Sequence, residues 1–275
     1  MTGDEEATRA PADPAHRVTL EQFLDGPAHD PADGLRELHG FGGLQGGLLA
    51  AMLLREARSH VSRETTPVEI SAHYLRGVTT RPELRAEVVH SGRAVSAVSA
   101  TAIVQGRTTT TATVVLTSSR APLRPTVLPP PPADVTPLKS APAFVIPPDF
   151  VPVSTRMELR TAGDALPYSG AAEPRLCAWL RLRDPVEDPY ERLLVLADAF
   201  APSYAALFDR PQPVPTIRMT LRFTPHSARA GDDWVLLEAR TDDAGEDAWV
   251  TETVTLWDRD GVALATSTQL RTVLT

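Results

Sequence analysis

Two stretches of this 275-residue chain carry residue types that could do chemistry. The first is HGFGGLQGG, His39 to Gly47, in which Gly42, Gly43, Gly46 and Gly47 lead into a helical pattern. The first turn of a helix presents free backbone N–H groups and the positive end of the helix dipole, so an oxygen gaining negative charge is stabilised there. Glycine lets such an oxygen approach the backbone, because no side chain stands in the way. The same bareness also suits tight packing of a helix against its neighbours, and the two uses are compatible. The second stretch is RLLVLADAFAP, where Asp198 stands between Leu196, Ala197, Ala199 and Phe200. A carboxylate in apolar surroundings is costly, and desolvation raises its pKa toward that of a useful general base.

Other reactive side chains point to plainer roles. Cys177 is the single cysteine, so neither an intrachain disulfide nor a thiolate metal cluster can form, and its place in the alternating RLCAWLRL reads as a buried structural thiol. The seven histidines lack HxH or HxxxH spacing, which argues against a zinc site. His39 falls in a loop and His73 on the polar face of a strand, and Arg76 in HYLRG reads as a solvated strand arginine. The expectation is a site without metal or organic cofactor.

The elements that must position these groups repeat. A helix over about residues 44–60 precedes strands in VEISAHYLR, LRAEVVHS, AVSAVSATAIVQ and TTTATVVLT. Further on, TRMELRT and RLCAWLRL lead to a helix over PYERLLVLADAFAPSYAALF, followed by TIRMTLRFT, WVLLEART, AWVTETVTLWD and VALATSTQLRTV. The order of helix and four strands is the same twice. Val68, Ile70, Ala72 and Tyr74 alternate with polar residues as Ile217, Met219, Leu221 and Phe223 do, and the turn at Gly106 matches that at Gly261, where RDGV reads as a type I′ hairpin. The chain therefore divides into a polar, disordered tail (1–17), a first repeat (18–117), a stiff proline-rich linker (118–150) and a second repeat (151–275). The first helix, GGLLAAMLL, is apolar almost all round and must be enclosed, which one curved antiparallel sheet around a central helix achieves. Two such repeats joined edge to edge make an α+β double hotdog.

A net charge of −8 with no basic run argues against a nucleic-acid backbone as partner. No apolar run is long enough to span a bilayer, and the acidic start is unlike a secretory signal, so the expectation is a cytoplasmic protein without a membrane partner.

In FGGLQGGLLAAML, HYLRG, LADAFAP, PTIRMTLRFTP and DGVALATSTQ, and in their order, the chain resembles the double-hotdog acyl-CoA thioesterases, the family of bacterial thioesterase II. The resemblance covers nearly all of the chain outside the tail and the proline-rich segment. It implies a thioester hydrolase acting on an acyl-CoA or acyl-carrier substrate, with an aspartate on the second helix, a threonine at the start of the next strand and a glutamine on the last strand holding the hydrolytic water. These roles fall on Asp198, Thr216 and Gln269. The glycines would supply oxyanion donors, Gln45-Gly46-Gly47 being a variant of the HGG found in many single-hotdog thioesterases. Thioester hydrolysis asks for such a set: a base, polar groups that orient water, and donors for the oxyanion. One departure is Arg218, where many relatives have an acidic residue, which would alter the charge around Thr216 or the acyl pocket. Setting Val68 on Ile217 places Pro67 opposite Thr216, setting Gly106 on Gly261 places Val114 opposite Gln269, and counting back equally puts Leu49 opposite Asp198, so one complete site per chain, or one per pair of halves, is expected. A homodimer is compatible with this organisation. Two other functions stay open: a non-catalytic acyl-CoA or lipid-binding hotdog, and a hotdog dehydratase or lyase, against which the lack of histidine in the second helix argues.

Overall fold

The computed structural model describes residues 18–26, 34–118, 126–231 and 233–274. The expected tail (1–17) lies outside the described residues, as do the first residues of the proline-rich segment, 119–125. A short helix α1 (Leu20–Asp25) precedes α2 (Gly46–Ser59), and strands β1 (Thr66–Tyr74), β2 (Glu83–Ser91), β3 (Val95–Val104) and β4 (Arg107–Thr117) follow. After β5 (Ala143–Phe144), β6 (Met157–Thr161) and β7 (Arg175–Leu182) come α3 (Pro189–Ala197), β8 (Thr216–Phe223), β9 (Val235–Ala244), β10 (Trp249–Trp257) and β11 (Ala263–Thr272). The eleven strands among the described residues form one sheet in the order β2-β3-β4-β1-β8-β11-β10-β9-β7-β6-β5, and its pairings are antiparallel. This is the expected double hotdog, with the inner edge strands β1 and β8 joining the halves.

The duplication is visible in the register. Setting Val68 on Ile217 makes Ser71 the counterpart of Thr220, and these two residues pair directly across the β1–β8 junction, their hydroxyls 2.8 Å apart. A residue facing its own counterpart marks the axis of an internal twofold. Ile70 pairs with Val114 as Met219 pairs with Gln269, and Pro67 with Leu116 as Thr216 with Arg271. Both alignments made from the pleat hold residue for residue. Each repeat also carries a β-bulge at the same place, Val68 in β1 and Ile217 in β8.

Between its two glycines and its last residue, Ser59, the helix α2 contains only good helix formers, with no β-branched residue, and nine of its residues are buried. Its leucines share one core with Ile70, Val98 and Val114 of the first half and with Leu193, Leu194, Leu221 and Val254 of the second. The two repeats therefore have a common interior. The start of α2 meets the end of α3 at Asp198, while Arg58 near its end pairs with Asp188 at the start of α3, so the two helices run antiparallel.

Three local expectations change. The second helix was expected to continue to Phe208; α3 stops at Ala197, Asp198 leaves the helical conformation at φ −117°, and a separate 3₁₀ turn follows at Ser203–Leu207. Pro202 explains the break: it has no N–H to give and disfavours a helical residue before it. The type I′ hairpin lies at Gln105-Gly106, both with positive φ, whereas the turn at Gly261 is a longer one in which the Asp258 carboxylate accepts the N–H groups of Asp260 and Val262. The proline-rich segment, expected as a stiff linker, is docked from residue 126 onward. The indole N–H groups of Trp257 and Trp179 donate to the carbonyls of Pro129 and Thr136, each at 2.9 Å, and Leu128, Val135, Leu138 and Ala141 cover a second apolar cluster with Cys177, Leu236 and both tryptophans. Cys177 is the buried thiol expected, and burial pushes its pKa up to about 12.

Trp257 anchors this outer cover. Its replacement by alanine is expected to cost about 3–5 kcal/mol in denaturant unfolding, with protease cleavage appearing first between residues 126 and 142.

Candidate active site

The glycine stretch and Asp198 meet where two helix ends face each other inside the core. Every helix leaves unpaired N–H groups at its start and unpaired carbonyls at its end. Gln45 serves both. As the N-cap of α2 its Oε1 accepts the Leu48 N–H at 3.1 Å, and its Nε2 donates to the carbonyls of Val195 and Asp198 at the end of α3, each at 2.9 Å. The helices approach so closely that a Cβ on Gly47 would lie 2.3 Å from the Leu194 carbonyl oxygen, and one on Gly46 would lie 3.0 Å from Asp198 Oδ2 and 3.2 Å from the Tyr74 ring. Packing alone thus requires glycine at position 47.

Asp198 caps this contact. Its Oδ2 accepts the Gly47 N–H at 3.0 Å, and the Gly46 amide also faces the carboxylate. The carboxylate therefore sits on the positive end of α2. Burial raises its pKa above the ordinary carboxylate value, opposed by Arg271 and by the amides of Gly47 and Gly46, and assisted by Glu252. Tyr74, on β1, donates its hydroxyl to the Gly46 carbonyl at 2.9 Å, and burial with the nearby Asp198 holds it well above the usual phenol range.

Thr216 and Gln269 reach the same place by way of the bulge. Strict alternation from Met219, Leu221 and Phe223 would put Thr216 on the outer face with Thr220 and Arg222. The extra residue Ile217 resets the pleat, so Thr216 stands opposite Arg271 and its hydroxyl lies 3.2 Å from Gln269 Oε1. Gln269 is fully buried, and its Nε2 reaches the Ala197 carbonyl, next to Asp198, at 3.3 Å. Arg218, the cross-strand partner of His73, lies on the far side of the bulge from Thr216.

The remaining glycines behave differently. Gly42 is exposed at φ +78° and Gly43 adopts φ +151°, with a Cβ on Gly43 falling 2.8 Å from the Val78 backbone. They close the loop ahead of α2. Gly47, expected to offer a free N–H, commits it to Asp198. His39 and His73 lie outside the hydrogen-bonded cluster as expected; burial, aided by Arg36, lowers the pKa of His39. Among the described residues no group of histidine, cysteine and acidic side chains could hold a metal ion.

The antiparallel helices create a second junction, at the start of α3, which carries no such site. Asp188 caps that end, taking the N–H groups of Tyr190 and Glu191, and Pro189 has no N–H. Arg58 pairs with Asp188, and Arg55 Nε holds Glu191 at 3.0 Å. Burial raises Glu191 to about 7 against the opposing pull of Arg55. The counterparts of Thr216 and Gln269 are Pro67 and Val114, so among the described residues one complete trio exists. Leu49 does not occupy the place of Asp198, because it lies inside α2 whereas Asp198 follows α3. Sequence reasoning placed Gln45 in the glycine motif without its capping role and gave Tyr74, Arg271, Glu252 and Ser203 no part in the site; a buried polar residue in an otherwise apolar strand face, such as Glu252 between Val250 and Val254, was the available signal.

Residues 37–117 match the model of the acyl-CoA thioesterase N-terminal domain and residues 129–273 that of the C-terminal domain. The chain belongs to the acyl-CoA thioesterase family. This thioesterase shares its fold with a hot-dog-fold protein of unknown function from Alicyclobacillus acidocaldarius, 25% identical with a TM-score of 0.79 over 87% of this chain and 90% of that one. A candidate thioesterase II from Thermobifida fusca is 25% identical with a TM-score of 0.75, covering 87% and 90%. An acyl-CoA thioesterase II from Mycobacterium marinum, 17% identical with a TM-score of 0.68 over 87% and 90%, shares the fold. No curated protein matches the chain. None of the described helices of this thioesterase is long and apolar enough to cross a membrane.

Two outcomes follow for stability. Gly47→Ala is expected to lower the unfolding free energy by about 1–3 kcal/mol or more, because the clash is with backbone that cannot rotate away. Asp198 has a folded-state pKa above its unfolded value, so the folded state binds more protons than the unfolded one between those values, and stability falls as pH rises through that window. Asp198→Asn removes this cost, and its thermal midpoint at neutral pH is expected to equal or exceed that of the parent.

Proposed function

We propose that the enzyme hydrolyses an acyl-CoA or acyl-carrier thioester to free acid and thiol, with water held by Asp198, Thr216 and Gln269. The observation that carries this reading is the carboxylate of Asp198 on the amide end of α2, in the apolar junction of two helices, with Gln269 bonded to the adjoining carbonyl. Asp198 in its charged form takes a proton from water as the water oxygen attacks the thioester carbonyl carbon. Thr216 and Gln269 each offer both donor and acceptor atoms and orient that water. The carbonyl oxygen gains charge as the tetrahedral intermediate forms and is met by the start of α2. Gly46, half-buried at the first position of the helix, is the amide suited to this: its hold on Asp198 weakens once the carboxylate is protonated. Collapse of the intermediate breaks the C–S bond, and the thiolate leaves with the proton returned from Asp198.

Thiol release measured against a panel of acyl-CoAs tests the reading. Turnover is expected for at least one of them, and Asp198→Ala is expected to lower kcat by about a hundredfold or more while the fold persists. Turnover by the alanine variant at the parent rate would remove Asp198 from the role. The acid limb of the pH profile is expected above the ordinary carboxylate value of roughly 4, in the direction that burial moves Asp198. Acyl-CoA that raises the thermal midpoint but is never cleaved would mark a binding module instead.

A further inference from the structure

A buried ion pair beneath the trio touches the flank of each of its members. Glu252 is fully buried and is the cross-strand partner of Gln269; Arg271, 5% exposed, stands two residues past Gln269 on the same face of β11. Arg271 Nε donates to Glu252 Oε1 at 2.9 Å. The other oxygen of Glu252 accepts both the backbone N–H and the hydroxyl of Ser203, the latter at 2.6 Å, and Ser203 opens the 3₁₀ turn that follows Asp198. Nη1 of Arg271 lies 3.4 Å from the carbonyl of Val214, just ahead of Thr216, and the Thr272 N–H holds the Pro215 carbonyl at 3.2 Å. One pair of side chains thus ties together the segment after Asp198, the segment before Thr216 and the strand of Gln269. Well-packed apolar residues stabilise an interior as well as a buried ion pair does, so stability gives no reason to keep charges here.

We propose that Arg271 and Glu252 are positioning residues for thioester hydrolysis, a buried pair that fixes the backbone around the trio and sets one positive and one negative charge in fixed order beside the Asp198 carboxylate. The proposal rests on Asp198 as the base. The groups facing that carboxylate are the Gly46 and Gly47 amides from α2, Tyr74 from β1, Arg271 from β11 and Glu252 from β10. Arg271 favours the charged form of Asp198 and Glu252 opposes it, with Arg271 the stronger of the two. Neither side chain needs to touch substrate.

The test exploits these opposite signs. Glu252→Gln and Arg271→Gln both break the same ion pair, so a purely structural pair would give variants whose pH profiles move together or stay where they were. Positioning predicts that the acid limb of kcat/KM moves to higher pH in Arg271→Gln and to lower pH in Glu252→Gln. In both, kcat falls by about tenfold or more as the trio loosens, and KM changes little. Arg271→Lys, which keeps the charge without the planar fork, returns the limb toward the parent position. Limbs that move in the same direction, or not at all, overturn the proposal. Should Arg271→Gln fail to fold, Glu252→Gln and Arg271→Lys decide it, since a parental limb in Glu252→Gln is equally fatal. The carboxyl ¹³C titration of Asp198, assigned with Asp198→Asn, gives the same comparison without turnover. Parent enzyme that releases no thiol defeats the hydrolase reading, whereas an active parent whose variants keep the parental limb and titration defeats the proposal alone.

Discussion

The start of α2 and the end of α3 meet inside the core, and most of what is distinctive in this structure depends on how that meeting is satisfied. Two helix ends bring opposite dipole ends and unpaired backbone groups into a space where water is scarce. Gln45 answers with a single side chain, capping one helix and bonding the last carbonyls of the other. Gly47 answers sterically, because only hydrogen fits against the Leu194 carbonyl. With both in place, the carboxylate of Asp198 falls on the amides of Gly46 and Gly47, which offset part of the cost of burying it.

The internal twofold makes two such junctions and uses them unequally. At one, glycine amides and an aspartate leave polar groups facing each other without a full countercharge. At the other, Pro189, Asp188, Glu191 and the arginines of α2 close the gap with ion pairs. The four central strands of each half are duplicated too, down to the bulges at Val68 and Ile217, yet counterpart residues differ: Pro67 and Val114 in the first half, Thr216 and Gln269 in the second. The outer face differs too, since the proline-rich segment shields the tryptophans and Cys177 of the second half. A duplicated scaffold supplies the geometry twice, and substitution at a few positions decides which junction carries the polar trio.

The repeat was readable because it rests on short-range periodicity. Alternation in VEISAHYLR and TIRMTLRFT depends only on which side chains face the core, and the β-bulges at matching positions did not disturb that comparison. The enclosed α2 was readable for the same reason: a helix apolar on every side has no stable place at a surface. Asp198 stood out as a charge among Leu196, Ala197, Ala199 and Phe200, while Thr216 and Gln269 were ordinary strand residues that only a family resemblance could single out. The course of the second helix was misread because its apolar pattern continues past Ala197, whereas the break is set by Pro202 and by carbonyls that Gln45 takes over from the helix.

By itself, then, the amino-acid order determined the two repeats, the edge-to-edge sheet and the enclosed helix, since these follow from local patterns of burial. Tertiary structure alone decided that Gly47 gives its N–H to Asp198, that the bulge at Ile217 turns Thr216 inward to Gln269, and that Arg271 and Glu252 bind the flanks of all three. Each of these joins residues from distant parts of the chain. Hydrogen-bond direction and close backbone approach depend on how elements cross, and no periodicity along the chain records that.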